Sequence, residues 1–199
     1  MALYFTMILY TLSMSASPGP VNIVALSCGL SVGVRKSLAF VSGATLGFIL
    51  LLFTVAKGLA SLFSIMPALP FFITILASLL LIALSLSMIK TRDIGLIFCQ
   101  GKGSSFYLGV AMQWLNPKAW LASGVAVTSF QLTLDSSLLY IFLIIYFVVC
   151  FFSILAWSYL GSRFAKYLTE HRVVLLTKFL GFALFIIAFY LLYSAVTGY

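Results

Sequence analysis

The chain has 199 residues, 64% of them hydrophobic and 7% charged, which excludes a soluble globular domain, where about a quarter of residues carry charge. Roughly 127 apolar residues fill about six membrane helices of about 20 residues each and leave only short connectors, so no extramembrane domain is expected. Eleven Lys and Arg against three Asp and Glu give a net charge of +8, a balance that suggests nucleic acid in a soluble protein but topology in a membrane protein.

In chain order, long uncharged stretches predict spans over residues 4–30, 38–61, 70–89, 106–130, 137–160 and 174–196. The N-terminus, MALYFTMILY, lacks the positive n-region expected of a cleaved signal peptide. Connectors fall at residues 31–37, 62–69, 90–105, 131–136 and 161–173. Arg35 and Lys36 lie in the first, Lys90, Arg92 and Lys102 in the third, Arg163, Lys166 and Arg172 in the fifth, and Lys178 just beyond it. The second and fourth hold no Lys or Arg, and the fourth carries Asp135. This alternation predicts an integral protein of the lipid bilayer with the odd connectors in the cytoplasm and both termini outside. Lys57 reads as an interfacial anchor, and Pro67 with Pro70 as a turn. Cys28, Cys99 and Cys150 form no CxxC pair and no metal cluster, and His171 sits in a polar connector, so neither a metal nor a cofactor is expected. Cys28 and Cys150 read as inert apolar thiols.

Two spans contain what a lipid-facing helix should not. The first reads Ser17-Pro18-Gly19-Pro20-Val21-Asn22 and the fourth reads Gln113-Trp114-Leu115-Asn116-Pro117-Lys118. Proline removes a backbone donor and steers the preceding residue away from helix. In hydrocarbon such a break survives only where protein or a polar cavity satisfies it. Ser17 before Pro18 and Asn116 before Pro117 are N-cap residues followed by proline, so each break is expected to start a new half-helix at membrane depth. Its free N–H groups and partial positive charge make an anion site.

Pro20 and Pro117 are 97 residues apart, which divides a single transmembrane domain, 1–199, into three-span halves of about 1–97 and 98–199. An odd number of spans per half inverts the second half against the first. The expected fold is therefore an all-α membrane protein of six helices in two inverted three-helix repeats, with spans one and four interrupted.

Lys118 is charged at mid-membrane, which marks it as a functional residue, and no Asp or Glu lies in any span to pair with it. Its competing reading is a structural cation held by carbonyls at the end of the broken first span. Pro18, Gly19 and Pro20 are read as a gate or binding element ahead of a simple kink. Asn22 and Asn116 serve equally well as interhelical glue or as partners for a substrate ammonium, and Gln113 is similar. Trp114 and Trp120 read as core packing. The pairs Gly29–Gly33 and Gly43–Gly47 are GxxxG spacings that bring helices close, and they permit a homodimer without requiring one.

Ser-Pro-Gly-Pro-Val-Asn at 17–22, followed by Gly29, Gly33, Gly43 and Gly47, resembles the amino-terminal signature of the lysine and homoserine exporter (LysE/RhtB) family. Leu-Asn-Pro-Lys-Ala at 115–119 resembles that family's second signature, and length, six-span plan and basic central connector agree over the whole chain. The resemblance implies no enzyme but a secondary transporter of the bacterial cytoplasmic membrane. It implies export of amino acids or related small metabolites by alternating access, driven by the membrane potential or proton gradient. The substrate's carboxylate would meet Lys118 and the half-helix N-termini, and its ammonium Asn22, Asn116 and freed carbonyls. Two other classes are weighed against it. An intramembrane thiol/disulfide electron carrier needs two cysteines within bonding reach. A non-transporting membrane subunit needs a partner that the sequence does not name.

Overall fold

A computed structural model of the chain describes residues 2–59, 65, 68–90, 99, 102–133 and 136–197. Among them it is helical throughout apart from short turns: α1 (Ala2–Ala16), α2 (Pro20–Thr54) ending in a π-helical turn (Val55–Leu59), α3 (Leu69–Lys90), α4 (Lys102–Trp114), α5 (Pro117–Ser129), α6 (Ser136–Tyr167) and α7 (Glu170–Thr197). Four stretches, Pro20–Gly58, Phe71–Lys90, Ser137–Tyr167 and Glu170–Thr197, are long and apolar enough to cross a bilayer. The chain is an all-α membrane protein. Apolar side chains surround its long helices rather than forming one stripe, as expected where the outer solvent is lipid. Phe72, Ile144 and Phe179, each more than 60% exposed, belong to that outer surface.

The first expected connector, residues 31–37, is not a loop. Helix continues through it, and only Gly33 departs, at φ 76 and ψ 169. This conformation is open essentially to glycine alone. Asn22 and Phe48 line one cavity, although 26 residues of straight helix would hold them about 39 Å apart. The chain therefore folds back at Gly33, and α2 has an N-terminal arm (20–32) and a C-terminal arm (34–54). Gly33 was expected to pack a helix interface, but a Cβ there would meet nothing within 4 Å. It is the turn residue instead.

The fifth connector shrinks in the same way. Helix α6 runs on to Tyr167 and α7 starts at Glu170, leaving two residues between them. No Pro or Gly after Gly161 stops α6, so it extends for 32 residues, about 48 Å. That exceeds a hydrocarbon core of about 30 Å, which leaves Arg163 and Lys166 exposed on its last turns. Most of the second and third connectors, with Pro67 and Arg92, lies outside the described residues, as does Asp135 of the fourth.

The core forms around α2, which packs against α6 and α4; α3 pairs with α7, and α1 lies along α6. Glycines set the closest approaches. A Cβ on Gly29 would collide with the Ser158 carbonyl, and one on Gly161 with the Leu26 carbonyl. At the other arm a Cβ on Gly43 would collide with the Phe106 carbonyl, and one on Gly47 would stand 2.8 Å from Val110 Cα. Gly109 faces Phe40 and Ala44 there. Each interface thus takes glycine from both helices, so the backbones meet without an intervening side chain.

Cys28 is not a free thiol. It is disulfide-bonded to Cys99, with Cα atoms 5.6 Å apart across 71 residues of sequence. Spacing along the chain carries no information about such a pairing. Cys150 is free and buried, as expected.

Candidate functional site

The chain breaks where the two prolines demand it, but the two breaks are built differently. Asn116 is the N-cap of α5, with extended backbone (φ −97, ψ 107), and its side chain accepts a hydrogen bond from the Lys118 N–H at 3.1 Å. Pro117 fills the first helical position, where a missing N–H costs nothing. This break satisfies itself from neighbouring residues. The Trp114 carbonyl, released where α4 ends, accepts from Trp120 Nε1 at 2.7 Å, and the two indoles meet edge to face at 6.3 Å. Both tryptophans pack the break instead of lining the cavity.

The first break departs from expectation at Ser17. The N-cap of α2 is Gly19, with extended backbone (φ −164, ψ 174) and no side-chain cap, because Pro20 rather than Pro18 occupies the first helical turn. Ser17 belongs to the end of α1 instead. A helix end at membrane depth must find donors for its last carbonyls, and here every one from Ser13 to Ser17 has one. Ser17 N donates to Ser13 O at 3.3 Å and Ser17 Oγ to Met14 O at 3.3 Å. Asn22 Nδ2 donates to Ser15 O at 3.1 Å and to Ser17 O at 2.7 Å. Trp157 Nε1, from α6, donates to Ala16 O at 3.2 Å.

Lys118 joins the two breaks. Its Nζ donates to Ser17 O at 2.9 Å and to Ser17 Oγ at 2.8 Å, across 101 residues of sequence. The end of its side chain lies over Gly19, where an added Cβ would sit 3.5 Å from both Cδ and Nζ. The carbonyl end of α1 carries partial negative charge, so the ammonium is held by a helix terminus. Two of its three N–H donors are engaged in this way.

Between the breaks lies a cavity of about 40 Å³. It has room for about three waters, fewer heavy atoms than the smallest amino acid carries. Of the residues singled out from the sequence, Gly19, Asn22, Gln113, Asn116 and Lys118 line it. Ser17, Pro18, Pro20 and Pro117 shape the breaks behind it, Pro18 from an exposed position. Gly29, Gly43 and Gly47 stand away from it at the helix contacts. Sequence reasoning missed the opposite wall. Tyr146, Cys150 and Ile154 of α6 line it together with Ser15 and Phe48, and small or apolar residues of α1, α2 and α5 fill the rest. Their spacing of four puts the three α6 residues on one helix face, but in a helix apolar all round nothing distinguishes that face from the others. Among the described residues no cluster of His, Cys, Asp and Glu could hold a metal.

No solved structure matches the chain. Similar proteins named cysteine/O-acetylserine efflux protein come from Escherichia coli, Shigella sonnei and Shigella flexneri. Each is 28% identical over 166 residues, covering 81% of this chain and 84% of the relative. The profile of the LysE type translocator family matches residues 12–195. In an apolar helical bundle two broken helices thus face one small cavity with polar groups in its wall, and by the family match the chain belongs to the LysE type translocator family as a membrane transporter, not an enzyme.

Proposed function

We propose that the chain exports amino acids or related small zwitterionic metabolites across the bacterial cytoplasmic membrane by alternating access, with the cavity between the breaks as the transport site. The observation that carries this reading is the contact of Lys118, at the start of one half-helix, with Ser17, at the end of another. A zwitterion can exchange both partners of that contact. Its carboxylate draws the Lys118 ammonium away and lies against the uncapped N-terminal turn of α2. Its ammonium then takes the place of Lys118 on the Ser17 carbonyl. No charge is left unpaired, and the tie between α1 and α5 opens only when substrate is present. The relatives' names, which specify cysteine and O-acetylserine, point to the same substrate class.

Six spans in two inverted halves fit the helix contacts. Counting α1 with the first arm of α2 as span one and α4 with α5 as span four, span one meets span five, span two meets span four, and span three meets span six. Exchanging the halves maps this set of pairs onto itself. Gly43 faces Phe106 and Gly47 faces Val110, an equal step of four on both helices, so spans two and four run in the same direction, as six spans require. Rocking of one half against the other about the cavity then exposes it to each side in turn. Both termini outside, with the basic connectors in the cytoplasm, completes the orientation.

The test is flux. Purified protein in proteoliposomes is offered a panel of radiolabelled amino acids and O-acyl derivatives, and cells with and without the protein are scored for growth protection and intracellular accumulation. Saturable flux of at least one small zwitterion supports the proposal; absence of flux for the whole panel refutes it.

A further inference from the structure

We propose that Ser15, Tyr146 and Cys150 form a side-chain subsite of the transport cavity that restricts the substrate to a short side chain bearing a polar atom. The inference rests on the export reading above and goes beyond it by assigning the wall opposite Lys118. Three observations converge there. Ser15 is 9% exposed and lines the cavity, and its Oγ lies beside the Tyr146 hydroxyl and the Cys150 thiol without a well-formed hydrogen bond to either. Three other buried serine hydroxyls are unpaired, on Ser27, Ser123 and Ser158, but none of them lines the cavity. A buried polar atom left unpaired costs free energy; at the wall of a binding cavity, a ligand atom removes that cost.

Around Ser15 the wall is polar but uncharged. The Tyr146 hydroxyl and the Cys150 thiol are both near enough to Ser15 for a weak hydrogen-bonding interaction, and Thr45 adds a hydroxyl beside Cys150 while donating its own proton to Val41 O at 2.8 Å. Such a wall accepts a hydroxyl, thiol or ester oxygen and offers nothing to a charged side chain. Its reach is limited by the stacked rings of Phe48 and Tyr146, with centroids 4.2 Å apart and exposures of 3% and 2%. A leucine- or phenylalanine-sized side chain must part that stack. The carboxylate and ammonium are recognised at the breaks, so the α6 wall is left to read the side chain alone.

The experiment compares serine with alanine, which differ only in the hydroxyl, using flux in proteoliposomes. In the wild-type protein the kcat/KM for serine exceeds that for alanine, and Ser15→Ala lowers the serine-to-alanine ratio about tenfold, the value of one buried hydrogen bond. An unchanged ratio, or an equal loss for both substrates, overturns the subsite. A second measurement does not rest on that variant. In a Cys28→Ser/Cys99→Ser protein, which keeps Cys150 as its single thiol, a small methanethiosulfonate labels Cys150, and serine slows labelling at least fivefold. Absence of labelling, or labelling that serine leaves unchanged, places Cys150 outside the substrate site and overturns the assignment. If the wild-type protein moves no amino acid at all, the export reading itself fails, a result distinct from flux without side-chain discrimination.

Discussion

Lys118→Met separates the two roles its position allows. Methionine keeps an unbranched stem over Gly19, where Cδ and Nζ of the lysine now lie, but removes the ammonium and its two hydrogen bonds to Ser17. The fold should tolerate this. The Ser17 carbonyl retains the Asn22 amide at 2.7 Å, and Ser17 Oγ retains its bond to Met14 O, so no acceptor is orphaned. The expected cost to stability is about 2 kcal/mol, less than two charged hydrogen bonds would give, because removing the ammonium also removes the cost of desolvating it. Transport loses more, because the substrate carboxylate then faces the α2 N-terminus without a counter-ion. Removing one partner of a desolvated charge pair costs about 2–4 kcal/mol, roughly a 30- to 1,000-fold fall in kcat/KM. Lys118→Arg keeps the charge but not the compact ammonium that fits between two oxygens of one residue, and falls between the two. The assay is efflux from substrate-loaded proteoliposomes, with thermal unfolding in detergent as the control for folding. Wild-type efflux from Lys118→Met would show that the ammonium only braces α1, and would refute the exchange of partners proposed for the transport step.

Gly29→Ala drives a Cβ into the Ser158 carbonyl and should lower stability by about 1–3 kcal/mol through forced separation of two backbones, read as a reduced unfolding midpoint in detergent. Gly33→Ala meets no neighbour, yet should cost a similar 1–3 kcal/mol, because φ 76 with ψ 169 is closed to a side chain; an unchanged midpoint would mean that the chain does not turn there. Trp120→Phe keeps a ring edge-on to Trp114 but strips the Trp114 carbonyl of its indole donor, for a loss of about 1–3 kcal/mol. Cys28→Ser/Cys99→Ser should abolish the disulfide-linked peptide in a non-reducing digest while substrate efflux persists; efflux that vanishes with the thiols would favour a thiol carrier over an amino-acid exporter.

The helical membrane class and the two breaks were legible in the sequence because both follow from strong local terms. Apolar length sets the spans, and proline chemistry sets the interruptions. Asn116 acts as the N-cap the sequence suggested. Ser17 does not, since Ser-Pro-Gly-Pro offers two prolines either of which could open the helix, and only the packing of Gly19 under Lys118 decides between them. Connector boundaries differ at residues 31–37 and 161–173, where polarity ends the apolar run but the helix runs on, interrupted only at Gly33 and at residues 168–169. The α6 wall was illegible for a different reason. Tyr146, Cys150 and Ile154 are ordinary residues of a lipid-soluble helix, and only the position of α1 beside them turns one face into a cavity lining.

The two breaks differ in who supplies their hydrogen bonds, and that difference bears on which of them moves. The break before α5 is satisfied by its own neighbours, Asn116 and Trp120, so it travels as a unit with the helices it joins. The break after α1 depends on donors from three other places: Asn22 at the start of α2, Trp157 on α6 and Lys118 on α5. Any shift of α1 against α5 or α6 must release some of those donors, and inside a membrane released carbonyls are costly unless something replaces the donor. On the export reading proposed above, a substrate ammonium would be such a replacement, and a substrate carboxylate would draw Lys118 away. Coupling between occupancy and opening would then need no relay through the bundle, because the groups that hold α1 in place are the same groups that the proposed zwitterion would displace. On the proposed reading the first break would be the gate and the second the rigid arm that carries the latch, although a capping-type residue and a proline stand at both in the sequence.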